Sequence, residues 1–148
     1  PVVRETPPPP ARGRETILLV EDEPAVRRLA TRFLSRAGYR VVEADDGESA
    51  IEQFLAHRGE IGLAVLDVVL PKTNGRRVME EITAIEPALP VLFVSGYAAG
   101  GIHTDFILEK DLVLLPKPYS RDQLLAKVRE VLDASPRVAS EPAIEAEQ

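Results

Sequence analysis

A chain of 148 residues suffices for one domain with a single hydrophobic core, and its formal net charge of -6 argues against direct, charge-driven binding to nucleic acid. It contains no cysteine, which excludes disulfides and thiolate metal sites and is usual in a reducing compartment. No apolar run approaches the roughly 20 residues that cross a bilayer, and the first residues lack the apolar stretch of a signal peptide, so we expect a cytoplasmic domain without membrane contact.

Both ends of the chain have compositions typical of disordered segments. Residues 1–14 hold five of the 13 prolines and almost no side chains to bury, so we interpret them as a disordered, proline-rich linker. Residues 135–148 are rich in Ala, Glu and Pro and have no periodic apolar face, so we interpret them as a disordered tail. The folded domain is therefore expected to span residues 15–134, with no output domain after it.

Five short apolar runs alternate with helical patterns between these ends, which is typical of βα repeats that form a parallel sheet. The last three runs are apolar throughout, as strands covered by helices on both faces must be. Right-handed crossovers then predict an α/β fold with an open, doubly wound sheet and helices on both faces. The predicted strands are Thr16–Val20, Tyr39–Ala44, Leu63–Leu66, Val91–Val94 and Leu112–Leu115.

Five helices are predicted from apolar periodicity and from capping residues. Asp46 is suited to start the second helix and Asn74 the third, while Ser120 and Gln123 form a capping box for the last. The fourth helix is poorly specified, because the segment 96–110 contains three glycines. The predicted buried face of the first helix consists of Val26, Leu29, Phe33 and Ala37.

Carboxylate, hydroxyl and amine side chains follow the predicted strands at the carboxyl edge of the sheet, where open α/β sheets bind their ligands. Glu21 and Asp22 follow the first strand, Asp67 the third, Ser95 the fourth, and Lys117 the fifth. Carboxylate oxygens suit Mg²⁺, and a carboxylate can act as a nucleophile toward phosphorus. The pattern therefore predicts a magnesium-dependent phosphoryl-transfer site in which Lys117 supplies a fixed positive charge and Ser95 a hydrogen-bond donor.

The motifs that carry these residues resemble those of response-regulator receiver domains over about Thr16 to Asp133. The resemblance implies the flavodoxin-like strand order 2-1-3-4-5 with five helices. It also implies a place in a two-component phosphorelay, in which a histidine kinase or a histidine phosphotransfer domain gives its phosphoryl group to Asp67. The motifs are Ile17-Leu18-Leu19-Val20-Glu21-Asp22-Glu23-Pro24, Leu66-Asp67-Val68-Val69-Leu70-Pro71 with Asn74-Gly75, Ser95-Gly96, and Lys117-Pro118.

The resemblance further implies how a metal would be held. Asp22 would be a direct ligand of Mg²⁺ and Glu21 would act through water. Asp67 and the backbone carbonyl of Val69 would complete the ligands that the protein supplies.

The remaining site residues would act on the phosphoryl group. Ser95 and Lys117 would contact its oxygens, and the Lys117–Pro118 peptide bond is expected to be cis. Many relatives carry an aromatic residue where this chain has Leu114, and that ring changes rotamer on activation, so the usual switch is in doubt here. Relatives often dimerise through their fourth and fifth helices, so a weak dimer is compatible with the sequence.

Several alternatives are open. The proline-rich lead-in and Ser95-Gly96-Tyr97 resemble the C-terminal receivers of hybrid histidine kinases; the full-length protein would then be a kinase, whereas the receiver catalyses only its own phosphorylation and dephosphorylation. A single-domain response regulator is the other origin.

A non-phosphorylated, receiver-like interaction module is a rival that the intact site argues against. A metal-dependent phosphatase would need a second Asp at Val69, and a flavodoxin-like cofactor binder would not place Glu21 and Asp22 against a phosphate.

Overall fold

The computed structural model describes residues 12–96, 107 and 112–134. Strands and helices alternate through these residues, as the sequence predicts. The strands are β1 Thr16–Val20, β2 Arg40–Ala44, β3 Ile61–Asp67, β4 Val69–Leu70, β5 Thr73–Asn74, β6 Val91–Ser95 and β7 Val113–Pro116. The helices are α1 Pro24–Arg36, α2 Gly47–Ala56, α3 Gly75–Ile85 and α4 Arg121–Ala134.

Five of the strands form one parallel sheet in the order β2-β1-β3-β6-β7. This order confirms the predicted 2-1-3-4-5 topology once the short antiparallel hairpin of β4 and β5 is set aside. Each predicted strand overlaps an observed one. The three inner strands, β1, β3 and β6, are buried almost throughout, and their sequences are mostly apolar rather than alternating. The fifth predicted run is also apolar, but the expectation that it is covered on both faces was wrong: it forms β7 at the edge of the sheet, where only Leu115 is buried.

Two apolar clusters form the core, one on each face of the sheet. Alternate residues of β1 enter different clusters: Leu18 and Val20 pack toward α2 and α3, whereas Ile17 and Leu19 pack toward α1 and α4. Because successive side chains of a strand point to opposite faces, a single buried strand contributes to both layers. The sheet is therefore covered by helices on both of its faces.

The predicted capping residues begin their helices as expected. The N–H of Ser49 donates to Oδ1 of Asp46 at 2.7 Å, and the N–H of Arg77 donates to Oδ1 of Asn74 at 2.8 Å. A reciprocal box precedes α4, where the N–H of Gln123 donates to Oγ of Ser120 at 3.1 Å and the N–H of Ser120 donates to Oε1 of Gln123 at 2.8 Å.

The buried face of α1 differs from the prediction. Ala30 and Leu34 are its buried residues, whereas Leu29 is 46% exposed and Val26 and Phe33 are only partly covered. The prediction is therefore confirmed for Ala37 and wrong for Leu29. Two adjacent stripes of α1 are apolar at helical spacing, and periodicity alone does not say which one faces the sheet. The stripe that starts at Ala30 continues into the buried Ala37 just beyond the helix.

Some predictions about the ends and the fourth helix fall outside the described residues. These include the disorder of residues 1–11 and 135–148 and nearly all of the predicted fourth helix, of which Ile107 is described as buried. Residues 12–14 contact the domain, since the N–H of Gly13 donates to the carbonyl of Ala37 at 3.1 Å. No helix in the described part of the chain is long and apolar enough to cross a membrane.

We predict that Gly75→Ala destabilises the domain by about 1–3 kcal/mol, the usual cost of overpacking a well-packed site. A Cβ at Gly75, the first residue of α3, would collide with the backbone carbonyl of Asp67 and lie 3.2 Å from the ring of Phe93. Urea unfolding measures the change. Gly62→Ala is the matched control, because a Cβ there makes only ordinary contacts, with the side chain of Glu15 at 3.4 Å and the carbonyl oxygen of Thr16 at 3.8 Å. Equal losses in the two variants would contradict this account of Gly75.

Candidate functional site

The strand register brings the predicted site residues together. Val20 of β1 pairs with Leu66 of β3, so Glu21 and Asp67 leave neighbouring strands at the same level. Further along the sheet, Ser95 of β6 pairs with Pro116 of β7, which places Lys117 directly after the edge. Four side chains that are far apart in sequence therefore reach one end of the sheet.

Lys117 joins the two buried carboxylates of this edge. Its Nζ lies 2.7 Å from Oε1 of Glu21 and 2.8 Å from Oδ2 of Asp67. Both carboxylates are buried, with Glu21 at 3% and Asp67 at 5% exposure. The second oxygen of Glu21 accepts the N–H of Glu23 at 3.1 Å, so this side chain is held on both sides. A single ammonium thus offsets two negative charges in a site with little water, where each charge would be costly alone.

The pKa values of Lys117 and Glu21 reflect this arrangement. Burial alone would lower the pKa of the Lys117 ammonium, but the hydrogen bonds to Asp67 and Glu21 outweigh it and leave that pKa raised. Burial also raises the pKa of Glu21, and repulsion from Asp67 adds to the effect against the opposing pull of Lys117. Lys117 therefore keeps its charge across the physiological pH range, while burial disfavours the charge of Glu21.

Asp22 adds a third carboxylate, and this one is exposed. One oxygen from each of Glu21, Asp22 and Asp67 lies within 4.8 Å of the others. When all three are ionised, the single charge of Lys117 leaves two negative charges without a counter-ion. A small divalent cation with oxygen ligands matches both this charge and these donors, and Mg²⁺ takes one or two carboxylates and keeps several waters. The chemistry of the donor set therefore fits the predicted metal.

The short β4–β5 hairpin follows Asp67 in the chain, and its first residue contacts the Asp67 carboxylate. The N–H of Val69 donates to Oδ1 of Asp67 at 3.3 Å, and the side chain of Val69 is 46% exposed. The other oxygen of Asp67 pairs with Lys117. The backbone of Val69 thus lies beside the carboxylate of Asp67, and its role as a metal ligand stays a prediction.

Ser95 is buried at the end of β6, where its hydroxyl donates to the carbonyl of Gly96 at 3.1 Å. The carbonyl of Ser95 accepts the backbone N–H of Lys117 at 2.8 Å. The Lys117–Pro118 bond is cis, as predicted. Ser95 and Lys117 are therefore tied through the backbone at the same edge, next to Asp67.

An apolar groove beside the site was not predicted from the sequence. It has a volume of about 320 Å³ and is lined by Val26, Leu29 and Ala30 of α1 together with Lys117, Pro118 and Tyr119. Burial raises the pKa of Tyr119 to about 12, and the nearby charge of Glu21 adds to that effect. The available signal was the second apolar stripe of α1, which the prediction assigned to the core.

Arg27 was also missed by sequence reasoning. Its Nη1 donates to the backbone carbonyl of Glu21 at 2.8 Å, and its Nε lies 3.1 Å from Oε1 of Glu43. The signal was its position six residues after Glu21, one turn into α1, from which a long side chain can reach back to the preceding loop.

Comparisons with known proteins agree with this geometry. The family described as response regulator receiver domain matches residues 17–129. The chain is 39% identical to the sensor kinase CckA of Brucella abortus (strain 2308) over 121 residues, which cover 82% of this chain and 13% of CckA. It is 32% identical to the response regulator receiver protein CpdR of the same organism, covering 80% of this chain and 98% of CpdR.

A solved structure with the same fold is the receiver domain from the hybrid histidine kinase CckA. It superposes with a TM-score of 0.66 at 33% sequence identity, covering 79% of this chain and 98% of that domain. The chain thus spans a small part of one curated relative and nearly the whole of another.

We predict that Lys117→Met destabilises the metal-free protein by about 3–5 kcal/mol, because removing one partner leaves buried charges without compensation. Met keeps the length and the apolar stem of Lys while removing its charge. Urea unfolding in the presence of EDTA measures the loss, and adding Glu21→Gln to the variant should recover part of it by removing one of the two unpaired carboxylates.

Lys127→Met is the matched control for this prediction. Lys127 pairs with Glu130 on the surface of α4, where both side chains are more than one-third exposed. Such a pair contributes at most about 1 kcal/mol. If Lys117→Met and Lys127→Met cost the same, the bridge between Glu21 and Asp67 does not stabilise the fold.

Proposed function

This chain belongs to the response regulator receiver domain family of two-component signalling, and from that membership we propose that it accepts a phosphoryl group on Asp67. One observation carries the proposal: a buried carboxylate at the end of the central strand β3 pairs with Lys117 and lies within 4.8 Å of ligand oxygens of Glu21 and Asp22. Three carboxylates and one ammonium thus lie together at one edge, as the proposed reaction requires.

In the proposed reaction an oxygen of Asp67 attacks the phosphorus of a phosphohistidine. An O–P bond forms on Asp67, and the N–P bond breaks, returning the electron pair to the imidazole of the donor. The N–H of Val69 and the ammonium of Lys117 orient the carboxylate before attack. Phosphoryl transfer depends mainly on such positioning and on stabilising charge on the transferred oxygens.

Glu21, Asp22 and Asp67, with the carbonyl of Val69, would hold Mg²⁺, which supplies positive charge to the phosphoryl oxygens when it is bound. Lys117 would move its ammonium toward a phosphoryl oxygen, and the hydroxyl of Ser95 would donate to another. Both residues already lie at the edge, with their backbones joined by a 2.8 Å hydrogen bond.

The alternatives fare less well against the same geometry. A phosphatase that turns over external substrates needs an acid–base carboxylate two residues after the nucleophile, and this position holds Val69, which has no titratable side chain. An interaction module without phosphorylation has no need of two carboxylates buried at high cost around one lysine. We therefore favour the phosphoacceptor role.

We also propose that the donor is a phosphohistidine-bearing helical protein whose apolar side chains enter the groove beside the site. Lys117 lines both the groove and the acceptor site, so a partner seated on Val26, Leu29 and Pro118 would bring its histidine close to Asp67. Leu29, at 46% exposure, is the largest apolar side chain that α1 offers there. A histidine kinase or a histidine phosphotransfer domain has the required chemistry.

The similarity to CckA favours an origin as the receiver of a hybrid histidine kinase, at 39% identity against 32% for CpdR. The full-length protein would then carry kinase activity that this domain does not supply. A single-domain regulator is the alternative, as CpdR matches over nearly its whole length. In either case the site faces the cytoplasm, where the phosphodonor is made, and the output is a protein contact controlled by phosphorylation.

The direct test is phosphorylation by acetyl phosphate. We expect wild-type protein with Mg²⁺ to gain one phosphoryl group by intact mass, and Asp67→Asn to gain none, because the amide is not a nucleophile toward phosphorus. EDTA should abolish the adduct. Asp122→Asn, an exposed carboxylate of α4, is the control for loss of charge and should label as wild type does. An adduct that persists in Asp67→Asn, or no adduct on wild type, would contradict the proposed acceptor.

A second test separates the donor groove from the acceptor chemistry. We expect Leu29→Glu to slow transfer from autophosphorylated histidine kinase by about tenfold or more, since a charge in an apolar contact costs several times RT. Labelling by acetyl phosphate should be unchanged, because a small donor does not need the groove. Phosphate transfer to the protein is followed by gel autoradiography, with the kinase of Brucella abortus CckA as the first donor to use.

Leu55→Glu is the matched control for this test. Leu55 is 49% exposed and lies on α2, away from the groove, so the same substitution introduces the same charge on another helix. Equal slowing in both variants would indicate a general effect of charge on the kinase encounter rather than docking at Leu29.

A further inference from the structure

The turn that carries Glu21 and Asp22 is held by its backbone as well as by its side chains. The N–H of Glu21 donates to the carbonyl of Ala44 at 3.0 Å, which extends the β1–β2 ladder by one residue. The next donor in a parallel ladder would be the N–H of Asp46. That N–H donates instead to Oγ of Ser49 at 3.2 Å, as part of the cap of α2. The N–H of Asp46 is therefore not available to the carbonyl of Glu21.

Arg27 supplies this partner from α1. Its Nη1 donates to the carbonyl of Glu21 at 2.8 Å, and its backbone N–H donates to the carbonyl of Glu23 at 2.9 Å. The guanidinium is fixed in turn by Glu43, at 3.1 Å from Nε, near the end of β2. Arg27 is only 19% exposed, whereas Glu43 is 41% exposed. The residue therefore spans the turn and bonds to carbonyls on both sides of Asp22.

These contacts bear on the exposed metal ligand. The carbonyl of Glu21 belongs to the same planar peptide unit as the N–H of Asp22, so fixing its direction fixes the start of Asp22. No hydrogen bond between described residues involves the Asp22 carboxylate, which leaves the backbone as its means of orientation. Glu21, by contrast, is held through its side chain by Lys117 and by the N–H of Glu23.

We infer that Arg27 is a positioning residue for metal binding, which holds the Glu21–Asp22 peptide so that the Asp22 carboxylate faces the other two. The inference rests on the proposed Mg²⁺ site and adds a residue to it that touches neither metal nor substrate. Residues that orient metal ligands from outside the ligand set typically change metal affinity by about 10–100-fold when they are removed. Because Glu43 pairs with the guanidinium, Arg27 adds no unpaired positive charge that would oppose a cation.

The test measures metal binding itself. We expect Arg27→Ala to weaken Mg²⁺ binding, measured by isothermal titration calorimetry, by about tenfold, in line with the lower end of that range. Labelling of Asp67 by acetyl phosphate should return to within about twofold of wild type once Mg²⁺ is saturating, since the nucleophile, Lys117 and Ser95 are untouched. If Arg27 had a purely structural role, Arg27→Ala would lower the melting temperature. It would not weaken Mg²⁺ binding while leaving the labelling rate at saturating Mg²⁺ unchanged.

Three further variants keep the test decisive. Arg28→Ala removes the same charge from the next, exposed position of α1 and should leave Mg²⁺ affinity within about twofold. Arg27→Lys keeps the charge but cannot donate to Glu21 and Glu43 at the same time as a guanidinium does, so its Mg²⁺ affinity should lie between those of wild type and Arg27→Ala. It replaces Arg27→Ala in the test if the alanine variant fails to fold. Glu43→Gln keeps an acceptor for Nε and should have the smallest effect of the changes to this pair.

The outcomes separate this inference from the function on which it rests. Wild-type protein that binds no Mg²⁺ would overturn both. Wild type that binds Mg²⁺, with Arg27→Ala and Arg27→Lys binding equally well, would overturn the role of Arg27 alone. A loss of affinity shared equally by Arg28→Ala would do the same, because it would show a general effect of charge on α1.

Discussion

The bridge of Lys117 between Glu21 and Asp67 is the interaction on which the rest of the site depends. Two carboxylates at 3% and 5% exposure lie at the ends of adjacent strands, and their charges are tolerable only because one ammonium reaches both. Lys117, which carries this ammonium, directly follows β7, the strand at one edge of the sheet. The charge balance therefore joins the first, third and last strands of the sheet at one edge.

Main-chain hydrogen bonds fix the backbone around this edge. Gly75 lets α3 start against the carbonyl of Asp67, and its N–H donates to the carbonyl of Val68 at 2.8 Å. On the other side, Ser95 accepts the N–H of Lys117. The backbone on both sides of Asp67 is thus held by main-chain hydrogen bonds. The proposed phosphoryl transfer would require such a fixed backbone, because it depends mainly on positioning.

Much of this could be predicted from the sequence, because parallel strands put the residue after each strand at a common edge. That rule located Glu21, Asp67, Ser95 and Lys117, and local capping rules located the starts of α2, α3 and α4. Distances and partners could not be predicted in this way. The register decides that Lys117 reaches two carboxylates rather than one, and long-range packing decides where Arg27 points, so neither follows from spacing along the chain.

The error over α1 has a physical meaning. Its stripe of Ala30 and Leu34 packs on the sheet, and the small Ala30 lets the helix approach closely; its stripe of Val26 and Leu29 lies beside Pro118 and stays accessible. Both stripes are apolar, since an exposed surface for a partner uses the same side chains as a core. An apolar pattern that is too wide for one buried face therefore indicates that part of it is an exposed surface for a partner. Here it marks the helix that carries Arg27 on one side and borders the acceptor site on the other.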